Sequence, residues 1–431
     1  VSRLAPGWLP LLRANPQVRR LWLAQVVSEL GDWLNLVALF RILARIAPGA
    51  TAPGLLMVIQ MLPALLVAPL AGPLADRLDR RKIMIAADLL RALVVLGFLF
   101  IDRPERLWLL YLLAGTQFSL AAFFEPARSA LVPRLATGEA LVAANALMGV
   151  TWSVMLAVGG ALGGLLAGLV STGAAFAVDS LSFLVSAGIL VGLRFSGSPP
   201  AAGEPGGRRE APPAAPFGEV VTEVIRRPRL LTAIGTKAAL AISGGGLWIL
   251  TVVYGQKVFP LGADGAVSVG LFYGAHGVGA IAGAFLAPMV FRREEVVALR
   301  FLLGAFLLRS VFWTMLGFAG NLGWALVAIV LISAVGSFTW VASVTLLQRH
   351  SAPAIHGRLF ALDLAVVTTT LAVTIQSTGF ALDRLALSVR QATFATAAAA
   401  LLVSLPFVLP ILRWERWREN DPFERERSPD E

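Results

Sequence analysis

The chain has 431 residues, 57% hydrophobic and 14% charged, with a net charge of +10 and no cysteine. Soluble domains carry about 25% charged residues, so a water-soluble fold this apolar would expose large greasy patches; the mean hydropathy of +0.76 points instead to a polytopic helical membrane protein. Missing cysteines exclude disulfides and thiolate metal sites, and the basic residues sit in loops beside apolar runs, which reads as membrane topology and not as a nucleic-acid patch.

The N-terminal charged lead runs into a long apolar segment without a short hydrophobic core or a small-residue cleavage site, so no cleaved signal is expected. Six spans are predicted at 18–46, 52–74, 83–101, 106–125, 141–169 and 173–195. Six more follow at 229–258, 267–290, 298–319, 322–346, 358–381 and 388–412.

Span 1 is the most polar. Gln25, Ser28, Glu29, Asp32 and Asn35 fall within an arc of about 120° at 100° per residue. A charge at mid-membrane costs roughly 2.5–3.5 kcal/mol on insertion scales, and each Leu, Ile, Phe or Val returns only about 0.3–0.6. The stripe must therefore face a wet cavity or a cation, and Lys237 in span 7 is the expected partner of the acids. Between spans 2 and 3, Asp76 to Lys82 packs six charges into seven residues, which demands a tight loop at the membrane surface.

Span 3 places Asp88 and Arg91 at i, i+3, where they can satisfy each other. Gln117 is the polar residue of span 4. In span 5, Gly159 and Gly163 recur every fourth residue, as do Gly160, Gly164 and Gly168, a spacing that lets helices approach closely. Asp179 in span 6 and Arg309 in span 9 are read as structural, Arg309 with no identified partner. About half of residues 196–216 are Pro or Gly, the composition of a flexible linker; Phe217 to Arg229 then reads as a short amphipathic surface helix. Tyr273 and His276 share a face of span 8, and Asp363, Thr370, Thr374 and Ser377 share a face of span 11; both faces can line a cavity or bond neighbouring helices.

Most of the 36 Lys and Arg fall at the termini and in the even-to-odd loops, whereas Ala47–Thr51, Ser171–Gly173 and Gly320–Gly323 carry no charge. The positive-inside rule then places both termini in the cytoplasm of a multi-pass cell-membrane protein. The expected organisation is a six-helix bundle over 1–195, a cytoplasmic linker with its amphipathic helix over 196–228, a second bundle over 229–412, and a charged cytoplasmic tail over 413–431.

Gly72-Pro-Leu-Ala-Asp76-Arg77-x-x-Arg80-Arg81-Lys82 resembles the signature loop between helices 2 and 3 of the major facilitator superfamily. Asn15-Pro16-x-x-Arg19-x-Leu21-Trp22-Leu23-x-Gln25 with Glu29-Leu-Gly31-Asp32-Trp33 resembles the start of its macrolide-efflux branch, which includes siderophore exporters. Phe124-Glu125-Pro126-Ala127-Arg128-x-x-Leu131-x-Pro133 with Ala144-Asn145 resembles that branch's loop 4–5, and Gly357-Arg358-Leu359-Phe360-Ala361 its loop 10–11. The antiporter motif Gly-Pro-x-x-Gly-Gly of helix 5 reads here as Gly159-Gly160-Ala161-Leu162-Gly163-Gly164.

The resemblance implies an all-α polytopic membrane fold, with twelve transmembrane helices in two pseudo-symmetric six-helix bundles. It implies a conformational gate in which Gly72 turns the loop, Asp76 latches onto helix 11, and Arg77, Arg80 and Arg81 share charge with Glu125. The substrate and coupling set comprises Glu29, Asp32, Asn35, Gln117, Lys237, Tyr273, His276 and Asp363. The expected function is secondary active export of a hydrophobic or amphipathic small molecule (a drug, macrolide or siderophore) by alternating access, coupled to protons. A lysophospholipid or lipid transporter of the same fold is the alternative, and a non-transporting scaffold or receptor the alternative of another class. No catalytic set or phosphate-cradling loop is present, so no enzyme is expected. No metal or cofactor beyond the ion gradient is expected either; the partners are the amphipathic substrate and the bilayer, with no nucleic acid, around a monomer.

Overall fold

A computed structural model describes residues 7–67, 78–194, 217–291, 295–351 and 355–413. Among the described residues every regular element is helical. After a short helix Trp8–Ala14 come α1 (Pro16–Ile46), α2 (Thr51–Leu66), α3 (Arg80–Gly97), α4 (Leu107–Leu135), α5 (Gly138–Leu165) and α6 (Thr172–Val191). The surface helix Phe217–Arg226 precedes α7 (Pro228–Val253), α8 (Ala266–Phe291), α9 (Glu295–Gly317), α10 (Leu322–Arg349), α11 (His356–Asp383) and α12 (Val389–Leu402). Among the described residues, ten helices are long and apolar enough to cross a membrane, and Thr51–Pro63 is a shorter apolar helix. The polar α1 has 31 residues, about 46 Å at 1.5 Å per residue, enough to span a hydrocarbon core of about 30 Å.

The helix ends explain several motif residues. Asn15 caps α1, its Oδ1 accepting from Gln17 N and Val18 N at 3.1 Å, with Pro16 in the first turn. Proline costs nothing there because that amide has no helical partner. The Asn15 Nδ2 also donates to Leu135 O at 2.6 Å, tying α1 to the end of α4. Asp79 caps α3 through Arg81 N at 2.9 Å.

Two elements depart from expectation. Span 4 was expected to end at 125, with Phe124 to Pro133 in a loop; α4 instead runs to Leu135 through Pro126 and Pro133. An interior proline costs about 3 kcal/mol, but Ala127, Leu131 and Val132 are buried, and each large side chain so buried returns roughly 1.5–3 kcal/mol. Burial therefore offsets much of the cost of the two interior prolines. The last span divides: α12 ends at Leu402, and Leu405–Leu412 begins again with Pro406 in its first turn, the position where proline is tolerated.

The chain falls into two compact units, residues 1–207 with 251–277 and residues 208–250 with 278–431. Residues 251–277, from the second half of the chain, thus group with the first six helices. In the first unit Leu21, Met84, Phe124, Leu131, Leu147 and Leu190 belong to one buried cluster. In the second, Leu230, Phe306, Leu346 and Leu359 do the same, and the surface helix adds Val220 and Val224 to it.

Candidate functional site

The polar stripe of α1 divides into two environments. Its upper part is locked. Arg91 of α3 donates from Nη2 to both oxygens of Asp32 at 2.6 Å, and from Nη1 to Ser28 Oγ at 3.3 Å. The same Nη1 lies 3.6 Å from Asp88 Oδ1, and the guanidinium stands 4.0 Å from the centre of the Phe183 ring. Gln117 Nε2 donates to Asp32 Oδ1 at 3.1 Å, and Asn35 Nδ2 to Gln117 Oε1 at 2.9 Å. Ser186 donates to Asp88 Oδ2 at 2.6 Å. Asp179, fully buried on α6, joins this region, since a Cβ on Gly31 of α1 would collide with both Asp179 and Ser182. Gly31 is what lets α6 bring that acid against α1.

The lower part opens on a cavity of about 380 Å³ between α1, α4 and α5, within the range of small-molecule sites. Glu29 Oε1 accepts from Gln25 Nε2 at 2.7 Å, while its Oε2 is buried without a partner. Gln25 Oε1 accepts from Arg128 Nη1 at 2.7 Å, and Arg128 Nη2 donates to Glu125 Oε2 at 2.6 Å. An acid–amide–base–acid chain thus runs along the wall. Met148, Val132 and Trp152 supply its apolar surface, Asn145 and Ser129 further polar groups. Trp33 and Trp152 meet edge to face, their ring centres 6.0 Å apart.

In the second unit Lys237 corrects the sequence reading. It was expected to answer the acids of α1; its Nζ is held by Asp363 Oδ2 of α11 at 2.5 Å and lies 3.9 Å from the centre of the Trp340 ring. Position within the helix suggested the wrong acid because α11 brings a carboxylate to the same level. Asp32 likewise has Arg91 as its cation. Arg309 has an account: it donates to Ser243 Oγ of α7 at 2.6 Å and to Ile332 O of α10 at 2.9 Å, and Gly336 leaves room for its guanidinium. It bridges three helices.

Tyr273 is fully buried against Phe40 and Trp33, with ring centres 5.9 and 6.0 Å away, a packing position and not a cavity wall. His276 is partly buried one turn further on. Thr370 and Thr374 each donate to the carbonyl four residues earlier in α11, and Thr374 also reaches Ala241 O of α7 at 3.3 Å. The glycine ladder has two faces. A Cβ on Gly159 or Gly163 would press on Trp33 Cβ or Leu34 Cα of α1 at 2.8 and 3.0 Å. On the other face, a Cβ on Gly160 would lie 2.8 Å from Tyr273 Cβ, one on Gly164 2.7 Å from Gly270 Cα, and one on Gly168 2.7 Å from Val267 Cγ2.

Of the expected gate, Gly72, Asp76 and Arg77 lie outside the described residues. Arg81 donates to Val191 O and Arg20 to Gly192 O, capping the carbonyl end of α6, while Glu125 is engaged by Arg128. Arg80 opens α3. The sequence places Gln25 on the polar stripe of α1 and Arg128 only within a motif, and neither belongs to the expected coupling set. The available signal was their reach from α1 and α4 toward Glu29. Asp179 was set aside although an intramembrane carboxylate beside Ser180 and Ser182 already marks a polar helix face. Among the described residues no group of three or more His, Cys, Asp or Glu could hold a metal ion.

The model of the Major Facilitator Superfamily matches residues 21–375. An uncharacterised transporter of that type, YfiS of Bacillus subtilis, is 31% identical over 182 residues, 42% of this chain and 43% of that protein, so the chain spans less than half of that relative in the match. BacE of Bacillus amyloliquefaciens, named as a candidate bacilysin exporter, is 26% identical over 371 residues, 83% of this chain and 87% of that protein. A crystal structure of a bacterial homologue of the human lysosomal transporter Spinster has the same fold, with a TM-score of 0.74 at 16% identity, covering 93% of this chain and 97% of that one.

Proposed function

The chain belongs to the Major Facilitator Superfamily as a multi-pass membrane transporter, and we propose that it exports an amphipathic small molecule by alternating access in exchange for protons. The observation that carries this reading is Glu29. Its carboxyl lies midway along a membrane-length helix at a cavity wall, held by an amide and by no direct cation. A charge so placed is costly and serves where a proton or a cationic group replaces it. Proton and substrate then compete for one carboxylate, and that competition couples their movements: release of one on each side of the membrane follows arrival of the other. Asp32, by contrast, is neutralised by Arg91 and holds α1 on α3.

The exporter name of BacE supports the direction of transport, and the excess of Lys and Arg supports termini and cavity mouth on the cytoplasmic side. The α5–α8 glycine seam, where backbones touch without side chains between them, is suited to a surface that closes and reopens.

Proteoliposomes with the purified chain test this. Loaded with a panel of macrolides, dyes, siderophores and lysolipids under imposed proton or sodium gradients, they should move at least one amphipathic compound against its gradient only when the proton gradient is present. Flux unaffected by either gradient for the whole panel would contradict the coupled-export reading.

A further inference from the structure

The cavity in the first unit also specifies what kind of molecule it takes, on the transport reading above. Two of its lining residues each hold a buried, unpartnered polar atom of opposite character, Glu29 Oε2 and Arg128 Nε. Polar atoms of charged groups that are buried without a partner are costly. A ligand that brings one charge relieves one of them; a ligand that brings both relieves the pair. Gln25 keeps the two apart, donating to the acid and accepting from the base, each at 2.7 Å. The acid and the base are therefore bridged by an amide and not closed into an ion pair. Beside them Trp152 offers a half-exposed ring, backed by Trp33.

We propose that this cavity binds a zwitterion: an ammonium group at Glu29, a carboxylate or phosphate at Arg128, and an apolar remainder over Trp152. Glu125 already shares Arg128, so the two acids and one base leave one negative charge over, and a simple amphipathic cation is the rival ligand. Two sources carry the zwitterionic chemistry, a lysolipid headgroup and an amino-acid or short-peptide derivative.

Binding to the full chain in nanodiscs, read by isothermal titration without any gradient, separates these. The probes are lauroyl lysophosphatidylethanolamine, lauroyl lysophosphatidylglycerol, dodecylammonium and phenylalanyl-phenylalanine. One or both zwitterions should bind about ten-fold or more tightly than either singly charged amphiphile, the scale of one charge-assisted hydrogen bond. Preference for the lysolipid or for the dipeptide identifies the source. Glu29→Gln should weaken zwitterion and ammonium binding but not that of the anion, and Arg128→Gln the reverse for ammonium and anion. Gly149 lines the cavity, and a Cβ there meets nothing within 4 Å, so Gly149→Leu should fill the space and abolish binding in a folded protein. Dodecylammonium bound as tightly as the zwitterions, or binding untouched by Gly149→Leu, overturns the proposal. Zwitterion binding without gradient-driven flux would sink the transport reading and leave this site standing; gradient-driven flux of the cation alone would do the opposite.

Discussion

Two carboxylates three residues apart on one helix meet different fates. Asp32 accepts at both oxygens from one nitrogen of a guanidinium that is itself buried, whereas Glu29 accepts from an amide and leaves one oxygen unpaired. The first is a closed pair, and the second is the one to which the proposed exchange assigns the proton. Truncating Arg91 would strand Asp32 and Asp88 in low dielectric, and removing one partner of a buried pair costs about 3–5 kcal/mol. Arg91→Ala should thus lower the thermal midpoint of the purified protein by on the order of 5 °C. Glu29→Gln removes a charge that has no cation on it, and should leave the midpoint unchanged or raise it. Thermal unfolding followed by size-exclusion fluorescence checks both, and equal losses in the two variants would refute the division of roles.

At the scale of helices, α5 is the element on which most depends. Its glycines present bare backbone to α1 on one face and to α8 on the other. At Gly164 even a methyl group would sit 2.7 Å from Ala266 O and Gly270 Cα, so a valine must push the backbones apart. Gly188 of α6 has nothing within 4 Å of such a methyl. Gly164→Val should cut transport at least ten-fold, about 1.4 kcal/mol or more, while Gly188→Ala leaves it intact; flux assays on matched amounts of folded protein decide. The ladder of Gly159 to Gly168 was readable from its four-residue spacing, as were the helices themselves, because twenty apolar residues leave few alternatives. Pairing was not readable. Periodicity puts Glu29 and Asp32 on one face but does not say that α3 delivers Arg91 to one of them, nor that α11 delivers Asp363 to Lys237. Such matches depend on which helices are neighbours, and Arg91 looked satisfied by Asp88 within its own helix. The extension of α4 was hidden for a related reason: prolines mark a boundary locally, and the buried Leu131 and Val132 that overrule them are tertiary.

For the whole molecule, the proposed export requires that the cavity face each side in turn. The Arg41–Asp264 pair at 3.1 Å and the bond from Gln256 Nε2 to Phe40 O at 3.1 Å tie residues 251–277 to α1, at the end of α1 away from Glu125. On the proposed mechanism, these contacts and the glycine seam are among those that a reversal of access would break. Protonation of Glu29 as substrate leaves is the event that would make the reversal productive. The most direct measurement is proton-driven accumulation of a bound amphiphile in proteoliposomes, comparing the native chain with Glu29→Gln at substrate levels raised to offset weaker binding. The native protein should concentrate substrate when a pH gradient is imposed, and the variant should only equilibrate it. Accumulation by Glu29→Gln equal to that of the native protein would contradict the account.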